Sequence, residues 1–261
     1  MNLSISNIAW VPEQDTNVYR MMKNYGYSGL EIAPTRIFPE NPYGDLDKAR
    51  LWAEVLKEKE GFQIPSMQSI WYGRTEKLFG TKEERNRLID YTKKAIDFAA
   101  AIKCGNLVFG CPKNRNFPED ANLKDGINFF KEIGDYAYSK GTAIGMEANP
   151  AIYGTNYIND TAGAIDLVKS VDSKGFLLNL DIGTMIVNAE NIELLEKNIR
   201  LVNHIHISEP HLRPLEKRGL HKELAECLER NSYKGYISIE MGCQDNMRVL
   251  ENCLSYGKEI F

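Results

Sequence analysis

The sequence predicts a single α/β domain folded as a (β/α)₈ barrel, and three observations predict it. Apolar runs alternate with amphipathic helical patterns along all 261 residues, eight of each by the spacing. The runs are short and nearly continuous, the pattern of a parallel sheet covered on its outer face by helices. No Pro/Gly/Ser-rich linker or shift of composition divides residues 1–261, so they read as one domain. Eight strand–helix units in this length match the barrel. A doubly wound open sheet is the alternative. It needs a Gly-rich phosphate turn after the first strand, where this chain has NIAWVP at 7–12.

Residues 3–8 are the first expected strand, and 18–25 belong to a helix. Residues 29–32 form the second strand, ending near Glu31, before a Pro-rich loop over 33–43. Asp45 is placed to cap a helix over 45–60, and 64–70 is the third strand, carrying Gln68. Thr81 followed by Glu84 has capping-box spacing and opens a helix to about residue 102. Residues 106–109 are the fourth strand, and the loop GCPKNRNFPED leads to a helix over 122–139. The fifth strand ends on Glu147, and Asp160 with Thr161 caps a helix to about 171. The sixth, seventh and eighth strands end on Asp181, His206 and Glu240, with helices over 192–199, 220–231 and 245–256.

The bulk properties exclude several classes of function. A net charge of −4 argues against a nucleic-acid partner, which calls for a basic face. The basic residues over 82–94 alternate with acids at helical spacing, as on a solvated helix face. No signal-peptide pattern opens MNLSISNIAW, and no run of roughly 18 apolar residues offers a membrane span. The five cysteines are odd in number and lack CxxC spacing, so they read as reduced thiols of a cytoplasmic protein. Cys111 and Cys243, just past expected strands, are the two not assigned to the core.

In a parallel barrel the strand C-termini converge at one mouth, where active sites of the fold lie. Glu147, Asp181, His206 and Glu240 therefore become neighbours. Three carboxylates and one imidazole form a hard donor set suited to one divalent ion, Mn²⁺, Mg²⁺ or Co²⁺, with Zn²⁺ tolerated. Without a cation, three crowded carboxylates repel and at least one pKa rises. Taken singly, each has a plainer reading: Asp181 as a cap before Gly183–Thr184, and a strand histidine as a satisfied core residue. In HIHI, His204 and His206 share one face, with His204 one layer deeper. Glu31 and Gln68 reach the mouth as hydrogen-bonding or substrate-binding groups.

These residues and their settings, GMEANP, LNLDIGT, HIHISEP and YKGYISIEM, resemble the xylose isomerase-like sugar phosphate isomerase/epimerase superfamily of TIM barrels. The resemblance implies that Glu147, Asp181, His206 and Glu240 bind one divalent metal, and that Glu147 and Glu240 act as acid and base on opposite faces of a substrate. It also implies that Glu209 and Arg213, in SEPHLR, contact substrate, though a surface ion pair explains them equally. His221 is expected either to bind a substrate oxygen or phosphate, or to sit at a helix N-terminus. Thr184 stands where many members have a histidine. The DNA-repair endonuclease branch uses many more histidines than the four present here.

The expected function is a metal-dependent isomerase or epimerase of a sugar, sugar phosphate or related keto-polyol, working by proton transfer beside a carbonyl. A dehydratase of a cyclic keto-polyol, such as an inosose or dehydroshikimate, is the alternative, and a non-catalytic carbohydrate-binding barrel is a third reading. The expected partner is a small carbohydrate, with a homo-oligomer allowed. Trp10, Trp71, Tyr72 and Tyr153 are placed to pack on a sugar ring or to close an interface between subunits. Arg74, Lys113 and Arg115 are loop cations available to a phosphate or to solvent. Loops 33–43 and 71–80 are long enough to be lids.

Overall fold

The computed structural model describes residues 1–261. Seven parallel strands form one curled sheet: β1 (Asn2–Ser6), β2 (Gly29–Glu31), β3 (Leu107–Phe109), β4 (Ile144–Glu147), β5 (Phe176–Asp181), β6 (Val202–Ser208) and β7 (Tyr236–Glu240). Their order is β2-β1-β7-β6-β5-β4-β3, so consecutive elements are neighbours except across the β1–β7 seam and between β2 and β3.

The eighth regular strand, expected over 64–70, does not form. Residues 63–67 instead occupy the gap between β2 and β3 through isolated parallel bridges, Gln63 to Gly29 and Met67 to both Ile32 and Leu107. Leu30 N–H donates to Gln63 O at 2.9 Å, and Met67 N–H to Asn106 O at 2.9 Å. Pro65 has no N–H to continue the ladder, and Ser69 at φ 56° turns the chain away. The ring is bridged by an irregular stave.

The expected helices form largely where their caps stand. Asp45 accepts from Lys48 N–H, Thr81 and Glu84 make the reciprocal capping box, and Asp160 accepts from Gly163 N–H. Over 192–199 only Glu193–Glu196 is α-helical, followed by a short 3₁₀ turn, Ile199–Leu201. A helix not expected from the pattern, Ile182–Val187, starts directly after β5 with Asp181 as its N-cap. Part of the Pro-rich loop is a helical turn, Pro34–Ile37. No helix is long and apolar enough to cross a membrane.

Strand alternation sorts the side chains into two sets. Leu3, Ile5, Leu178, Leu180, Ile205, Ile207, Ile237 and Ile239 are buried and apolar. Their outward direction packs them beneath the helices, as Phe176 stacks on Phe130 of helix Leu123–Ser139 at 4.8 Å. The alternate positions, Ser4, Ser6, Asn179, His204, His206, Ser238 and Glu240, are equally buried but polar. The barrel interior is thus a buried polar column. It carries the site.

Candidate metal and active site

Glu147, Asp181 and Glu240 are the last residues of β4, β5 and β7, and His206 lies two residues before the end of β6. The register pairs Asp181 with His206, Glu147 with Asn179, and Ser208 with Glu240. One ligand atom from each of Glu147, Asp181, His206 and Glu240 lies within 4.8 Å of the others. Donors on one small divalent ion, at roughly 2.1 Å each, sit about 3 Å apart as neighbours and about 4 Å apart across the ion. His206 Nδ1 faces two of the carboxylates, at 2.9 Å from Glu147 and 3.3 Å from Glu240.

Each member is held by partners. His206 Nε2 lies 2.9 Å from Glu31 Oε2, so one ring nitrogen is oriented by a carboxylate while the other faces the cluster. Gln68 Nε2 donates to Glu31 Oε1 at 3.1 Å and to Ser6 Oγ at 2.7 Å. His204 Nε2 is 3.1 Å from Glu31 Oε2 but poorly aligned for a hydrogen bond. Glu31, His204 and His206 thus form a second buried group one layer below the mouth. Asp181 caps the helix that follows β5 and is also one of the four clustered donors. Its Oδ2 accepts from Thr184 N–H as a helix cap at 2.8 Å, and Ser208 Oγ donates to its Oδ1. The Thr184 hydroxyl is 2.8 Å from both Asp181 Oδ2 and Ala148 O, and can donate to only one at a time.

Three residues that sequence reasoning missed hold Glu147. Asn179 Nδ2 donates to its Oε1 at 2.9 Å, and Asn149 Nδ2 to its Oε2 at 3.2 Å. Arg115, expected as a loop cation, is fully buried. Its guanidinium donates to Glu147 O and to Asn149 Oδ1, each at 2.9 Å, and to Ile158 O at 3.3 Å. A guanidinium only donates, so it fixes Asn149 with its amide nitrogen toward Glu147. The local signal was weak: GMEANP places Asn149 two residues past Glu147, whereas nothing in KNRNF marks Arg115 as internal.

The electrostatics show a cluster short of positive charge. Burial, with the charges of Glu147 and Asp181, pushes the Glu240 carboxyl up to about 7, against the pull of His206. Burial and Glu147 likewise raise Asp181. Burial opposes protonation of His206, but Glu31, Glu240 and Glu147 outweigh it and hold its pKa well above the usual imidazole value. Burial raises Glu31 too, yet His206 and His204 overcome this and hold it well below the carboxylate range. A divalent cation meets the demand that the imidazolium otherwise meets. The residues fit such an ion by donor type, spacing and charge.

A cavity of about 370 Å³ opens beside Glu147 and Glu240, walled by most of residues 68–74 and 108–114 and also lined by Asn149. Glu209, Arg213 and His221 do not line it. Glu209 is buried against Arg218, which donates to it through Nε at 2.7 Å and through a second nitrogen at 2.5 Å. Arg213 is exposed, 3.7 Å from Glu216. His221 is buried with Nδ1 3.0 Å from the Tyr256 hydroxyl, and burial lowers its pKa to about 4. Among the aromatics, Trp10 and Trp71 are core residues whose indoles donate to Asp15 and Thr92. The Tyr153 hydroxyl accepts from His211 N–H, and Tyr72 stands exposed on the cavity. Burial pushes the Cys111 thiol up to about 12, whereas Cys243 is exposed. A larger recess of about 980 Å³ lies at the other end of the barrel, lined by Met1, Asn2, Lys234 and Phe261, away from every strand C-terminus.

The sequence over residues 19–254 matches the family described as xylose isomerase-like TIM barrel. The chain belongs to that family. Solved structures share its fold at low identity. A 3-keto-D-glucoside 4-epimerase from E. coli is 18% identical with a TM-score of 0.76, covering 98% of each chain. A D-psicose 3-epimerase from Clostridium cellulolyticum, solved with D-tagatose, is 15% identical with a TM-score of 0.80, over 100% of this chain and 99% of that one. A sugar phosphate isomerase/epimerase from Parabacteroides distasonis is 15% identical with a TM-score of 0.71, over 98% and 93%. No curated protein matches the chain in sequence. This chain carries the four clustered donors together with the Glu31–His204–Gln68 layer beneath them.

Proposed function

We propose that this protein is a divalent-metal-dependent sugar epimerase or isomerase, with Glu147 and Glu240 exchanging a proton beside a substrate carbonyl. The observation that carries the reading is that both glutamates belong to the four-donor cluster and both face the same mouth cavity. The ion would be held by Glu147, Asp181, His206 and Glu240, and when bound it supplies Lewis-acid polarisation of the substrate's oxygens. One glutamate takes the proton from the carbon beside the carbonyl, and the C–H electron pair moves into the enediolate. The other returns a proton to carbon, to the opposite face for epimerisation. Asn179 and Asn149 donate to Glu147 and hold its carboxylate toward the cavity. Glu240 lacks such amide donors and serves as the opposite partner in the exchange. Glu31 and Gln68 keep the His206 ring oriented. Likeness in fold to sugar epimerases supports the same reading.

The test is metal content followed by exchange. Purified protein supplied with Mn²⁺ is expected to hold about one ion per chain, and Asp181→Ala and His206→Ala to hold none. The loaded wild type is then expected to wash deuterium from D₂O into a ketose at the carbon beside the carbonyl. No bound metal, or bound metal without exchange on any ketose, overturns the reading.

A further inference from the structure

Three features of the mouth cavity are left over once the proton-transfer groups are assigned. The space, about 370 Å³, opens outward rather than closing around one sugar ring. The cavity also has a direction. Gly110 borders Glu147, and a Cβ there would stand 2.8 Å from Glu147 Oε2, so the missing side chain leaves that carboxylate open on the cavity side. From there the space runs outward between the stretches 69–74 and 110–114, each of which begins beside a non-glycine residue in left-handed backbone, Ser69 at φ 56° and Cys111 at φ 48°. Such strain persists where surrounding structure imposes it and gathers at ligand-binding sites. At the outer end stands Tyr72, 71% exposed, the most exposed large apolar side chain of the protein. Its neighbour Trp71 is 3% exposed and tied to Thr92, so the pair presents one anchored ring and one free ring.

We propose that the outer half of this cavity is a subsite for a second ring attached to the reacting sugar, with Tyr72 as its stacking platform, so that the substrate is a keto-glycoside rather than a free monosaccharide. The inference rests on the proposed proton-transfer function of the inner half. The ring of Tyr72 offers an apolar face to the C–H face of a pyranose, while its hydroxyl stays in water. The reacting unit lies between Glu147 and Glu240, and the glycosidic bond passes over Gly110.

The experiment uses the Mn²⁺-loaded full chain and compares D-fructose with glucosyl-fructose disaccharides linked through O3, O5 and O6. Affinity is read by calorimetry, and proton exchange by deuterium uptake in D₂O. At least one disaccharide is expected to bind tenfold or more tightly than fructose. Tyr72→Ala is expected to lower that selectivity at least tenfold, and Tyr72→Phe to retain it. Equal affinity for fructose and every disaccharide, or no disaccharide binding, overturns the subsite. So does a Tyr72→Ala variant that weakens both sugars alike, or an affinity for inorganic phosphate that Lys113→Ala removes. Failure of the proton-transfer reading is separately visible. It gives disaccharide binding that depends on Tyr72 with no deuterium uptake from either sugar.

Discussion

The two halves of the barrel are built differently. β4 to β7 have four to seven residues each and pair along parallel ladders, with one register shift, between Leu178 and Asn179 against β6. β2 and β3 have three residues each and are joined only through the bridged stave at 63–67. The regular half holds all four metal-ligand candidates, while the irregular half supplies most of the cavity wall. Proton transfer tolerates little positional error, and long ladders limit it. Recognition of a variable group needs loops and gaps, which short strands leave open.

The comparison breaks first at the two glutamates. Glu147→Gln and Glu240→Gln should each lower deuterium exchange by roughly 10²–10⁴-fold, the usual contribution of a positioned acid or base. If either keeps wild-type exchange, the regular half does not carry the chemistry. Next in size is Arg115, which comes from the irregular half but holds the end of β4. Arg115→Lys loses the fork that spans Glu147 O, Asn149 Oδ1 and Ile158 O, so kcat should fall roughly 10–100-fold, as for other groups that orient ligands, with KM moving much less. An equal change in both constants would mean that Arg115 only supports the fold.

Titration sharpens the contrast further. In metal-free protein the Glu240 carboxyl is raised to about 7, so the folded state holds a proton that the unfolded chain has released by then. Stability from this source is full below pH 4 and is lost as pH rises through 7, on the order of 3 kcal/mol in all. The raised His206 acts in the same direction at higher pH. The lowered His221 and His204 act in the opposite direction below about pH 6.5, so the contrast is read as a difference. Without metal, the thermal stability of wild type relative to Glu240→Gln should fall from pH 5 to 8, and Mn²⁺ should reverse this by binding the ionised form. A difference that rises with pH would contradict the raised Glu240 carboxyl. The smallest effect is expected far from the mouth. Thr81→Ala removes one partner of the capping box on helix Lys82–Ala101 and should cost about 1 kcal/mol in denaturant unfolding, with exchange unchanged.

What the sequence determined by itself is what local chemistry dictates. Strand ends before polar breaks located Glu147, Asp181, His206 and Glu240 on consecutive strands, and capping patterns at Asp45, Thr81 and Asp160 located helix starts to within a residue. Both signals lie within a few residues of the feature they announce. The tertiary structure decided the rest. Pro65 reads as a residue within an apolar run, and only the neighbours β2 and β3 show that its missing N–H interrupts a ladder. Glu31 lies 175 positions before the His206 it orients, and Glu209 turned to Arg218 rather than to the mouth. Arg115 looks like any loop cation until the end of β4 closes over it. Pairings of this kind depend on which long side chain reaches which buried oxygen, and that is set when distant staves meet, not by spacing along the chain.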